Sequence, residues 1–138
     1  MRYELKGQDV EKRMMSWFKG KPSFVECFDF ETKNVLWEVK SCKLFNTYSN
    51  CNSKISDHYK DVKSSHLGRF FINVNNHVET LGIAVAFKKE FKYLFVVVVG
   101  KQLVFKSVVH NKLDLSRPNV KGEVCVRIKD VFGDAACL

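Results

Sequence analysis

Several things are scarce in this chain. It holds two prolines and seven glycines in 138 residues. That is too few for a collagenous or low-complexity segment, and it argues against disorder. The five cysteines, Cys27, Cys42, Cys51, Cys125 and Cys137, contain no CxxC pair. A zinc site needs paired ligands at close spacing, so none is expected. No Asn-x-Ser/Thr acceptor occurs, and no apolar stretch follows the basic start, so no signal peptide is read. Free thiols without glycosylation sites fit a reducing cytoplasm. Cys137 stands second from last, which does not make a prenylation signal. The longest apolar run is well short of a membrane span, so no membrane insertion is expected.

Catalytic signatures are scarce too. There is no GxGxxG and no Walker loop to cradle a phosphate. The four histidines, His58, His66, His77 and His110, all fall in or beside expected loops, outside any nucleophile–base pattern. The acidic residues show no conspicuous pairing. The residues alone therefore suggest a protein that is not an enzyme and carries no cofactor.

What is present is a β-rich pattern with a basic surface. Hydrophobic residues make up 46% of the chain, enough for one real core, and the length suits a single domain over 1–138. The net charge of +8 raises nucleic acid and other acidic polymers as partners. The basic residues are spread, however, and the densest group is Lys88, Lys89 and Lys92 in an expected turn. Arg69-Phe70-Phe71 is a weak approach to an RNA-recognition strand and reads better as core.

Four apolar runs lie between Glu79 and Val131: Leu81–Phe87, Tyr93–Val99, Gln102–Val109 and Glu123–Val131. In the first, Leu81, Ile83, Val85 and Phe87 alternate with small residues, which predicts a strand. Gly100-Lys101 between the second and third is a two-residue hairpin signal. Ser23–Phe30 and Val35–Leu44 also alternate, the latter with Val35, Trp37 and Val39 on one face. Phe70–Val74 adds a short apolar run, and Asn75-Asn76-His77 reads as a turn. Val10, Met14 and Trp17 fit a helical period, with a strand over Val10–Met14 as the rival. Phe45 to His66 is polar and irregular. A strand about every 8–12 residues predicts an all-β sandwich of two antiparallel sheets.

Taken in order, these pieces resemble a galectin carbohydrate-recognition domain, a jelly-roll or concanavalin-type sandwich. The resemblance runs through Ser23-Phe24-Val25, Glu79–Ile83, Phe95–Lys106, Leu115–Val120 and Gly122–Ile128. It places Val10–Met14 in a strand. Family members bind β-galactosides through H-x-N-P-R, V-x-N and W-G-x-E-x-R on three successive strands. On that mapping Trp37, Val39 and Ser41 stand in the His, Asn and Arg places. Asn52 keeps its place, Tyr59 replaces the stacking Trp, and Val62 and Ser64 stand for Glu and Arg. Each lost charged hydrogen bond would forfeit about 1.5–3 kcal/mol, so ordinary lactose binding is not expected. A one-residue slip in register would put Glu38 and Lys40 on the binding face, and Lys63 is a further polar candidate. The resemblance implies a lectin for an altered glycan or glycoprotein, cytoplasmic with an unconventional route outside. Its alternatives are a protein-interaction module, a homodimer formed through edge strands, and a basic module for nucleic acid or acidic polymers.

Overall fold

The computed structural model describes residues 7–25, 27–43, 68–99 and 101–133. Within them strands predominate and helices are few. The order is α1 (Gly7–Trp17), β1 (Phe30–Thr32), β2 (Val35–Lys43), β3 (Arg69–Asn73), α2 (Val74–Ala86), β4 (Glu90–Val99), β5 (Gln102–Val109), a 3-10 turn (His110–Lys112), β6 (Glu123–Arg127) and α3 (Ile128–Phe132).

The larger sheet has the order β1-β2-β4-β5. It is mixed: β2 and β4 run parallel, while β1–β2 and β4–β5 are antiparallel. The smaller sheet is the antiparallel pair β3–β6. A parallel pair cannot be closed by a hairpin, and here α2 lies in the crossover that returns the chain to β4. The β-rich expectation therefore holds, but the main sheet is mixed rather than antiparallel.

Central β4 is covered on both faces. Phe91, Tyr93, Phe95 and Val97 enter one core, with Leu36, Cys42, Phe70, Ile72, Ala84, Val124 and Val126. Leu94, Val96 and Val98 enter a second core, with Val10, Met14, Phe30, Trp37 and Val39. This is why Tyr93–Val99 reads as an unbroken apolar run. The hairpin to β5 holds its predicted register, with Val99 opposite Gln102.

Five local expectations are corrected. Val10–Met14 is helical: both side chains are fully buried one turn apart, so the 3.6-residue period governs this segment. Leu81–Phe87 is also not a strand, since its residues through Ala86 form the last turns of α2. The predicted turn Asn75-Asn76-His77 is the first turn of that helix, because the Asn73 side chain accepts from the N–H groups of Asn75 and Asn76 and starts it. The described residues of Ser23–Phe30 are irregular except for Phe30, and Glu123–Val131 divides into β6 and α3. The close approach of Gly20 to Phe30 helps fix the α1–β1 connection, since a Cβ there would lie 2.6 Å from the ring.

Candidate functional site

Strand β2 has two different faces. Val35, Trp37 and Val39 point into the core under α1. Opposite them, Leu36 and Cys42 enter the other core, and between these two lie Glu38 and Lys40. Two charged side chains on the inward side of a strand call for partners. They partly satisfy each other: Lys40 Nζ is 3.6 Å from Glu38 Oε1.

Further carboxylates join them from two other elements. Asp29 lies just before β1, beyond the last rung of the β1–β2 ladder at Phe30–Trp37. Its backbone N–H donates to the Trp37 carbonyl at 3.0 Å, which turns its side chain toward β2. Its Oδ2 then accepts from the Val39 N–H at 2.6 Å. Glu11 of α1 and Glu38 lie close enough to Asp29 to act on its ionisation.

Burial raises the pKa values of these carboxyl groups. Burial, then the Asp29 charge, pushes Glu38 up to about 8 against the pull of Lys40. Burial, then Asp29, pushes Glu11 up to about 7. Asp29 is also raised, by burial, although the Val39 N–H, Glu11, Lys40 and Glu38 all oppose the rise. Three carboxyl groups and one ammonium, fully ionised, would carry a net charge of −2. The cluster stays together by retaining protons.

Of this group, Glu38 and Lys40 line a cleft of about 220 Å³, to which Glu79 adds a further carboxylate. Glu38 and Lys40 form one wall, Tyr93 of β4 lies beside them, and Asn73, Asn76 and His77 come from the start of α2. Among the described residues, no three His, Cys, Asp or Glu side chains already converge as ligands of one metal ion.

The other sequence-derived candidates lie elsewhere. Trp37 is 5% exposed, its ring stacked on Phe30 and against Phe18, so it packs on protein rather than facing a ligand. Val39 is buried in the same core. Ser41 is half-buried on β2. Asn52, Tyr59, Val62, Lys63 and Ser64 lie outside the described residues. Of the site residues named from sequence, the structure places Glu38 and Lys40 together in the cluster. Glu11, Asp29 and His77 were missed. The available signal was the pair of charges at positions 38 and 40 on an otherwise apolar face, with Asp29 across a tight turn.

Comparison of the chain with family models, with curated proteins and with solved structures found no match.

Proposed function

We propose that this protein is a divalent-cation-dependent phosphodiester hydrolase acting on nucleic acid. The observation that carries the reading is the grouping of Glu11 and Asp29 with Glu38 and Lys40, the last two lining a cleft. Carboxylate oxygens are the ligands of hard cations such as Mg²⁺, which bind through one or two carboxylates together with substrate phosphate. A divalent cation would take the place of the protons that these carboxyl groups retain. When bound, it would supply Lewis-acid activation of water and of the phosphoryl group.

The chain's own groups have distinct roles in this reading. Asp29, fixed by the Val39 N–H, and Glu38, carried by β2 to the cleft, would hold the cation. Glu11 reaches the cluster from α1 and adds negative charge beside Asp29. Lys40 keeps its ammonium at the cleft, where it opposes charge developing on the phosphate. The net charge of +8 favours a polyanionic substrate, and a nucleic acid offers both that charge and the bond to be broken.

The test is cleavage of labelled single- and double-stranded DNA and RNA with Mg²⁺ or Mn²⁺, against a chelator control. Cleavage should require the cation and should drop by at least about 100-fold in Glu38→Ala and in Lys40→Ala. Absence of cleavage across these substrates and cations would sink the proposal. Lactose and N-acetyllactosamine should not bind in a parallel glycan array.

A further inference from the structure

We propose that His77 is a further catalytic residue of this site, donating a hydrogen bond to the phosphate group under attack and held for that task by Tyr93. The assignment rests on the phosphodiester reading above.

Tyr93 is the register partner of Glu38 across the parallel β2–β4 pair. Its side chain is 2% exposed, so its hydroxyl needs a partner inside the protein. That partner is His77: the phenol oxygen lies 2.5 Å from Nδ1, and the two rings stack with 8° between their planes. Phe91 and His110 lie against other parts of the imidazole. A side chain held this way has little rotational freedom left to lose when substrate arrives.

The hydrogen bond also sets the tautomer. The phenol is the stronger donor, so Nδ1 accepts and the ring proton stays on Nε2. Burial, reinforced by His110, keeps the imidazole pKa below its ordinary value, so the ring is neutral at pH 7. His77 lines the cleft that holds Glu38 and Lys40. It is thus a neutral N–H donor on a ring held in place within the cleft lining, which also contains Glu38, Lys40 and Glu79. In hydrolysis a water oxygen bonds to phosphorus as one ester P–O bond breaks. The water's proton goes to solvent, and the leaving oxygen is protonated from solvent. His77 takes no part in that proton balance and acts on a non-bridging oxygen.

Two substitutions separate this role from a structural one. His77→Asn places an amide near Nδ1, keeping a partner for Tyr93 while removing the outer donor. His77→Gln places an N–H near Nε2. Both are compared with wild type and Glu38→Ala in steady-state cleavage with Mg²⁺ or Mn²⁺, with thermal melts as the folding control. The proposal expects His77→Asn to lose about 100-fold in kcat with KM within about threefold. His77→Gln should recover at least about tenfold of that loss. Asn equal to or better than Gln would overturn it, as would a loss confined to KM. Wild-type cleavage that is abolished by Glu38→Ala but unchanged by His77→Asn would remove His77 alone. Absence of wild-type cleavage would remove the underlying reading and this assignment together.

Discussion

Asp29 is subject to two opposing pressures. A 2.6 Å hydrogen bond from the Val39 N–H favours its charged form, while burial favours the neutral one. Glu11 and Glu38 lie more firmly on the neutral side, raised from an ordinary 4.5 to about 7 and about 8. A carboxyl whose pKa is raised on folding binds more protons folded than unfolded. Its contribution to stability is therefore complete below pH 4.5 and is lost as pH rises through about 7 for Glu11 and about 8 for Glu38. Thermal melts in chelator should show a falling Tm from pH 5 to pH 8.5. Glu38→Gln should flatten that decline and raise Tm at the alkaline end. Mg²⁺ should restore the wild-type Tm there, because a cation takes over from the lost protons. A flat wild-type profile would refute the shared-proton account. Glu38 and Lys40 were legible in the sequence, because period-2 alternation places both on one face. Glu11 and Asp29 were not, because their link to β2 runs through space.

Helix α2 shows how an apolar pattern can suit two periods. Leu81, Ile83 and Val85 alternate like a strand, yet in the helix Thr80 and Ala84 are the buried pair, four residues apart, and Val85 is 69% exposed. The deciding local signal is Asn73, which leaves β3 extended and receives the first free N–H groups of the helix. Asn73→Ala should cost about 1 kcal/mol, read from urea denaturation at constant m-value. Because α2 carries His77, the same substitution should also reduce cleavage. No change in either would mean that the cap is unimportant. In α1, Val10 and Met14 offered the helical period openly, and the strand reading came from the resemblance rather than from that spacing. The β4–β5 hairpin was readable from Gly100-Lys101 alone, since a two-residue link between apolar runs leaves little choice of register.

For the whole molecule, the β-rich character followed from the alternation and apolar runs, whereas the two-sided burial of β4 and the parallel β2–β4 pairing did not. Pairing direction depends on what the intervening chain does, and α2 had been read as a turn followed by a strand. The galectin-like order of segments reflected this: Phe95–Lys106 does form a hairpin, but Glu79–Ile83 is helical. The charge of +8 is a property at the same scale. Binding of DNA to the inactive Glu38→Ala variant should weaken about 100-fold between about 50 and 200 mM salt, as expected when about four phosphates are neutralised. Affinity insensitive to salt would argue against a polyanionic substrate. The parallel pairing also bears on biosynthesis. A growing chain that has reached Lys43 already contains Glu11, Asp29, Glu38 and Lys40, but β2 has no β4 beside it until Val99 is made. All four charged groups are thus synthesised well before the strand that completes the sheet beside Glu38 and Lys40, so an interrupted product would carry the whole charged set without the central strand of its sheet.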